Sequence, residues 1–152
     1  MSSHTGGTMT ATAVADAFLA AINAHDERKI GELMADDVAY WEANLPAPIK
    51  GRQAVEAHFR ESWKPFPDAT IKSLNRIVSG DWVTDESMWS GTHKGPIQAP
   101  GQPPIPPTNK RAQGKAVAVA HVQGGKVKSL NIYYDNMAFM AQLGLMPGSG
   151  PQ

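Results

Sequence analysis

Apolar residues near the start of the chain recur with the spacing of amphipathic helices. A first stripe predicts a helix over 12–24, because its members fall on one side of a helix. That stripe consists of Val14, Phe18, Leu19 and Ile22. Asp26 can cap a short second helix, which we expect to end at the acidic pair 36–37. The apolar side of this second helix consists of Ile30, Leu33 and Met34.

A third helix is predicted over 52–64, where prolines on its far side stop it. Val55, Phe59 and Trp63 recur at every fourth position, so they share one heavy apolar side. His58 follows Val55 by three residues, which places it on that side or at its rim. A histidine in such a position is either a satisfied core residue or an acid–base group, and both interpretations stay open.

Much of the remaining chain alternates apolar and polar residues, as strands do. The predicted strands lie at 38–42, 69–79, 81–93, 114–122 and 126–134. A last short helix is predicted over 136–143, with Asp135 as its cap. Helices come first and an antiparallel meander follows, which predicts an α+β fold.

One predicted strand has an unusually shallow face. Within 114–122, Ala116, Ala118 and Ala120 point to one side, because successive side chains alternate between the faces of a sheet. Small side chains in the middle of a curved sheet leave a volume that must be filled. Either a ligand or closely packed helix side chains can fill it, and the sequence leaves both options open.

The segment 96–107 contains six of the twelve prolines. Such a segment can form neither a helix nor a central strand, so we expect a loop between two strands. Each proline fixes one backbone dihedral, which makes the loop stiff. It serves either as a wall or lid edge of a pocket or as a plain surface connection.

A chain of 152 residues is the size of a single domain with one core. We expect this domain to span 11–146, with disordered tails at 1–10 and 147–152. Lys and Arg total 14 and Asp and Glu total 14, so the charge favours neither a nucleic acid nor a membrane as partner. No apolar run is long enough to cross a bilayer, and the expected location is the cytoplasm.

The absence of cysteine excludes thiol nucleophiles and thiolate metal sites. The sequence also lacks histidine pairs with metal-ligand spacing, phosphate loops and serine-hydrolase elbows. We therefore expect a pocket without metal or other cofactor, which binds a small hydrophobic molecule. The candidate acid–base groups are His58, His93, Glu42, Glu86, Asp135 and Tyr133.

From these groups we assign the catalytic role to His58 and Glu86, the latter only if its side chain faces the cavity. Tyr40, Asn44 or Tyr133 would donate a hydrogen bond to a developing oxyanion. His93 is counted with the binding residues, although bonding to the neighbouring loop is its simpler role. The predicted binding residues are Tyr40, Asn44, Phe59, Trp63, Trp89, His93, Ala118, Ile132 and Tyr133.

Several short motifs follow one another in a specific order from the first helix to Leu145. They are Phe18-Leu19-Ala20-Ala21, Gly51-Arg52, Trp63 with Phe66-Pro67-Asp68, Gly91-Thr92-His93-Lys94-Gly95, Pro106-Pro107-Thr108, Gly125-Lys126-Val127, Tyr133-Tyr134-Asp135 and Gln142-Leu143-Gly144-Leu145. In this order they resemble the SnoaL-like polyketide or ester cyclases of the nuclear-transport-factor-2 superfamily. The resemblance implies a cone-shaped α+β barrel, in which N-terminal helices close one side of a strongly curved antiparallel sheet around an apolar pocket. It also implies a homodimer that forms through the outer faces of the sheets.

The same resemblance implies a cofactor-free ring closure, in which an aspartate on the last strand is the base and a histidine on the preceding strand assists. Those places are held by Ile132 and Ala118 in this chain, and Tyr40 replaces an asparagine of the pocket. The cyclase mechanism therefore does not transfer residue by residue. Three hypotheses remain: a cofactor-free cyclase, isomerase, lyase or hydrolase for a small polyketide- or terpenoid-like metabolite, a binding module with the same pocket, and a protein-interaction domain.

Overall fold

Four helices and six strands make up the described part of the chain, residues 8–99 and 101–146, in a computed structural model. The helices are α1 (Ala11–Ala24), α2 (Glu27–Glu32), α3 (Arg52–Ser62) and α4 (Asn136–Gln142). The strands are β1 (Met34–Glu42), β2 (Ile49–Lys50), β3 (Thr70–Ser79), β4 (Trp82–Thr92), β5 (Arg111–Gln123) and β6 (Lys126–Tyr134). The positions of α1, α3 and α4 agree with the sequence prediction, whereas α2 ends earlier than predicted.

Side chains cap three of the four helices. Thr10, Asp26 and Asp135 each accept a hydrogen bond from the backbone N–H three residues later, at 3.1, 3.0 and 2.9 Å. These bonds satisfy backbone donors that have no partner inside the helix. The capping roles predicted for Asp26 and Asp135 are thereby confirmed.

The strands form one sheet in the order β2-β1-β6-β5-β4-β3. Strand β6 pairs with β5, β5 with β4 and β4 with β3, all antiparallel. Strand β1 lies parallel to β6. The sheet is therefore mixed, whereas the sequence predicted an antiparallel one. Alternation along a strand reports which side chains share a face, and it carries no information about strand direction. The α+β class is confirmed. The sheet is not closed into the barrel that the resemblance implied, and β2 and β3 are its two edges.

The largest difference from the sequence prediction is at the start of β1. Met34 was assigned to the second helix and the acidic pair 36–37 to its end, yet all three residues belong to the strand. Met34 is fully buried, whereas the two aspartates are exposed, and Lys128 on β6 donates to Asp37 at 2.7 Å. The acidic pair lies in an exposed part of a strand here rather than at the end of a helix.

The core lies between the helices and the concave face of the sheet, and it has two parts. The larger part joins α1, α2 and α3 to β1, β5 and β6, with Val14, Tyr40, Val55, Phe59 and Leu130 among its buried members. The smaller part, beneath α4, consists of Phe66, Ala69, Ala112 and Leu143. Two separate apolar clusters therefore hold the helices against one sheet.

The motif between β4 and the proline-rich loop depends on a close approach of two backbones. A Cβ at Gly95 would overlap the carbonyl oxygen of Lys64, so only glycine fits there without a shift. The amide of Lys94 donates to the Pro65 carbonyl at 2.9 Å beside this contact. The loop then doubles back, since Ile97 and Ile105 exchange two backbone hydrogen bonds of 2.9 and 2.8 Å. The Ile97–Ile105 pair closes the loop on itself, and the bond from Lys94 to Pro65 ties the start of the loop to the segment after α3.

No helix within residues 8–99 and 101–146 combines the length and the hydropathy needed to cross a bilayer. The tails predicted to be disordered lie largely outside the described residues, which begin at Thr8 and end at Met146.

Candidate active site

Two side chains converge on one carboxylate oxygen on the concave side of the sheet. Oε1 of Glu42 lies 2.6 Å from Nε2 of His58 and 2.6 Å from the hydroxyl of Tyr40. Tyr40 is 1% exposed, and the side chains of His58 and Glu42 are 17% and 19% exposed. We call these three residues the Glu42 cluster.

The local folding of two elements builds the Glu42 cluster. Tyr40 and Glu42 are two residues apart on β1, so both point to the concave face. His58 lies on α3 between the buried residues Val55 and Phe59, which turns its ring toward the sheet. The rings of Tyr40 and His58 are 5.2 Å apart.

The charge of Glu42 acts on two phenols. Burial raises the pKa of Tyr40 well above its ordinary value, and the charge of Glu42 and its hydrogen bond add to that rise. The pKa of Tyr134 is also raised, first by burial and then by the charge of Glu42. Both phenols therefore keep their protons at neutral pH and can act as hydrogen-bond donors.

A cavity of about 60 Å³ lies between α1 and the alanine face of β5. Side chains of α1 form one wall, and alternate residues of the sheet form the other. The main contributors are Val14, Phe18, Ile22, Ala118, Ala120 and Ile132. Helix side chains therefore do not fill all of the volume above the alanine face.

One row of paired residues crosses the concave face and connects the cavity with the Glu42 cluster. Ala118 pairs with Asp85 on β4 and with Ile132 on β6, and Ile132 pairs with Glu42 on β1. Ile132 lines the cavity, so it separates the cavity from Glu42. The two places aligned with the cyclase histidine and aspartate are thus flanked by carboxylates on the neighbouring strands.

The carboxylate on the other flank, Asp85, lines the cavity and is held by hydrogen bonds. It accepts from the hydroxyl of Ser73 at 2.7 Å and from Nε of Arg76 at 3.0 and 3.1 Å. Arg76 also pairs with Asp16 on α1. The sequence analysis missed Asp85, although its alternation with Trp89 on β4 was a signal that it belongs to the concave face.

The catalytic role of Glu86 depended on a side chain that faces the cavity, and Glu86 does not face it. Val117 on β5 pairs with both Glu86 and Tyr133, and all three lie on the outer face, opposite the alanine residues. Tyr133 is 51% exposed and packs 5.3 Å from the ring of Trp41. Asn44 is exposed in the turn after β1. The sequence could order the residues on each face but not decide which face the helices cover.

The predicted aromatic wall is divided between the two core clusters. Phe59 lies 5.4 Å from Tyr40 and 5.9 Å from Phe18, so it packs between the Glu42 cluster and the cavity. Trp63 stacks on His25 at 4.6 Å. Trp89 packs against Phe66 and Phe139 beneath α4.

His93 is fully buried and organises the loop after β4. Its Nδ1 accepts a hydrogen bond from the backbone amide of Thr108 at 3.2 Å and lies 3.1 Å from the hydroxyl of the same residue. Burial lowers the pKa of His93, and the backbone of Gly95 offsets part of that shift. These bonds join the two ends of the proline-rich loop.

The side chains of Tyr40, Glu42 and His58 can donate, accept and transfer protons. Within residues 8–99 and 101–146, no group of three or more His, Asp or Glu side chains is arranged to hold a metal ion.

Residues 12–143 match the family model of the SnoaL-like polyketide cyclases. The chain belongs to that family. A SnoaL-like polyketide cyclase candidate from Jannaschia sp. CCS1 superposes with a TM-score of 0.79 at 16% identity, over 100% of both chains. IdmH from Streptomyces antibioticus, a polyketide cyclase candidate, gives 0.73 at 23% identity, over 90% of this chain and 99% of its own.

A third structural neighbour is a hypothetical protein from Catenulispora acidiphila with a ketosteroid-isomerase-like fold, solved with trimethylamine. It gives a TM-score of 0.74 at 20% identity, over 91% of this chain and 97% of its own. No curated protein sequence matches the chain. At these identities the solved structures establish the fold alone.

Proposed function

We propose that this SnoaL-like protein is a cofactor-free enzyme that catalyses proton transfer on a small hydrophobic, oxygenated metabolite. The observation that carries the proposal is the convergence of Tyr40 and His58 on Oε1 of Glu42, each at 2.6 Å. Cyclisation and isomerisation of a polyketide- or terpenoid-like carbonyl compound begin with removal of a proton beside the carbonyl. Membership in the SnoaL-like family supports this substrate class.

We assign the base to His58. The carboxylate of Glu42 can only accept, so Nε2 of His58 donates to it and Nδ1 keeps the lone pair. When Nδ1 removes a carbon-bound proton, the substrate becomes an enolate and the ring becomes an imidazolium, whose charge Glu42 stabilises. The imidazolium returns the proton to another substrate atom, so the step needs no co-reactant.

We assign supporting roles to the two phenols. The hydroxyl of Tyr40 is engaged by Glu42 and fixes that carboxylate. Tyr134 shares its face of β6 with Ile132, and its raised pKa keeps it a donor, so it is our candidate for the hydrogen bond to the enolate oxygen. The cavity beyond Ile132 would receive an apolar part of the substrate.

Proton exchange with solvent tests the proposal without knowledge of the natural product. The protein is incubated in D₂O with acetone, cyclohexanone and 2-tetralone, and deuterium entry beside each carbonyl is followed by NMR. We expect accelerated exchange of at least one ketone. His58→Ala and Glu42→Gln should each lower the rate by about a hundredfold or more, because each removes part of the general base.

Glu86→Gln is the matched control, since it removes a carboxylate from the outer face of the same sheet. It should leave exchange unchanged. Equal rates for the wild type, His58→Ala and the uncatalysed solution would reject the acid–base proposal.

A second candidate function is ligand binding without turnover. The feature that favours it is the aliphatic pair Ala118 and Ile132 at the places where the family's cyclases have their histidine and aspartate. On this reading the protein binds a hydrophobic ligand in the cavity, and the ketones exchange no faster than in buffer. Binding detected together with absent exchange would decide for this candidate.

We include a homodimer in the proposal. The outer face of the sheet exposes large apolar side chains, with Ile77 61%, Trp82 49% and Tyr133 51% exposed. An exposed apolar surface of this kind is typical of an interaction site. A protein-interaction role remains the third hypothesis for the same face.

A further inference from the structure

The cavity wall is apolar except along one edge. Among the described lining residues, the polar ones are Ser73, Asp85 and Ser87. Ser73 and Ser87 are register partners across β3 and β4, and Asp85 lies two residues before Ser87 on the same face. The polar edge is therefore a single patch opposite the Glu42 side of the cavity.

The polar edge carries unused acceptor capacity. An ionised carboxylate offers about four lone-pair sites. Asp85 uses some of them for Ser73 and for the Nε–H of Arg76, which spans both oxygens. Arg76 is also paired with Asp16, so two carboxylates share one guanidinium and the network has a net negative charge.

We infer that this cavity is a subsite for a small apolar group that ends in a hydrogen-bond donor, either a hydroxyl or an ammonium group, and that Asp85 binds the donor. The inference rests on the proposed function, in that the cavity receives part of the substrate. A carboxylate ligand would be repelled by the network, and a ketone or ether would present only acceptors to an acceptor. The alanine face leaves room for the apolar part.

The size of the cavity limits that group. An engineered apolar cavity of about 150 Å³ holds benzene, whereas this cavity measures about 60 Å³. The group that enters should therefore be a branched alkyl unit of about four heavy atoms rather than a ring. Phe18 and Ile132 form the walls that would have to move for anything larger.

Four isosteric probes test the inference: propan-2-ol, isopropylammonium, acetone and acetate. Each is titrated into ¹⁵N-labelled wild-type protein, and amide shifts are followed by NMR. Shifts should centre on Ser87, Ala118 and Ala120. Propan-2-ol and isopropylammonium should bind about tenfold tighter than acetone and acetate, as expected for one charge-assisted hydrogen bond.

Asp85→Asn should weaken isopropylammonium binding about tenfold, whereas Glu86→Gln, the neighbouring residue on the outer face, should not change it. Ala118→Leu should fill the cavity and abolish binding of all four probes, which keeps the inference testable if Asp85→Asn fails to fold. The inference would be overturned if acetone or acetate bound as tightly as propan-2-ol. It would also be overturned if the amide shifts centred elsewhere, or if Asp85→Asn bound isopropylammonium as tightly as the wild type.

The outcome is separable from that of the proposed function. The probes report binding alone, so His58→Ala should leave their affinities unchanged. Preserved probe selectivity without ketone exchange would keep the subsite and reject the acid–base mechanism. Ketone exchange without probe selectivity would keep the acid–base mechanism and reject the subsite.

Discussion

Single residues decide how the cavity and the proton-transfer group are connected. Ile132 lines the cavity and pairs with Glu42, and Phe59 packs between Phe18 and Tyr40. Under the proposed function, we expect the reacting carbon of a substrate to lie close to these apolar side chains. Substitution of one of these side chains changes access to Glu42 without removing any titratable group.

Ile132→Ala is the direct test of that connection. It should enlarge the cavity toward Glu42 and lower the KM for 2-tetralone relative to acetone in the exchange assay, with kcat changed less. Loss of a half-buried isoleucine should also reduce the free energy of unfolding by about 2 kcal/mol. An unchanged KM ratio in a variant whose urea midpoint has fallen would show that Ile132 is a packing residue alone.

His93 should make the stability depend on pH. Its pKa is lowered by burial, so below the ordinary value of 6.5 the unfolded chain binds a proton more readily than the folded protein does. The stabilisation is complete above pH 6.5 and is lost as the pH falls toward the folded pKa. Urea unfolding of wild type and His93→Gln from pH 7.5 to 5 should show a stability difference that shrinks at low pH. Parallel curves would contradict the assignment.

At the scale of elements, the connection from β4 into the proline-rich loop is fixed by backbone contact. Gly95→Ala should cost about 1–3 kcal/mol, because the new methyl group overlaps the Lys64 carbonyl. Gly114→Ala is the matched control on β5, where a Cβ would meet no atom within 4 Å. Thermal melting of both variants checks the prediction, and an equal effect of the two would refute it.

Elements were predictable to different degrees from the sequence. The stripes of α1 and α3 gave their positions, because burial of one side is a local property of a helix. The start of β1 was misassigned, since Met34 fits an apolar helix side as well as a buried strand position. The parallel pairing of β1 with β6 depends on contacts between residues far apart in the chain, which periodicity does not record.

The same limit applies to the candidate site. His58 was found because it lies on the apolar side of a helix, and the face shared by Ala116, Ala118 and Ala120 follows from alternation. Glu42 was among the acid–base candidates but was not chosen, because its contact with His58 joins a strand to a helix across 16 positions. Only the folded chain brings them together.

At the scale of the whole molecule, the outer face of the sheet should join two chains. Sedimentation velocity at micromolar concentration should give the mass of a dimer. Trp82→Glu should shift it to that of one chain, because it places a charge on the apolar face. Met137→Glu is the matched control, since Met137 is 66% exposed on α4, outside that sheet face. A monomeric wild type would reject the dimer.

The arrangement of the concave face has a consequence for how new activities arise in this protein. The Glu42 cluster, which contains the proposed base, belongs to β1 and α3, whereas the cavity belongs to α1 and strands β3 to β6. Changes at positions such as Ala118 or Ala120 can alter which molecules fit while the Glu42 cluster keeps its geometry. Selection can therefore adjust specificity and reactivity through largely separate sets of mutations, which makes this chain a suitable starting point for directed evolution.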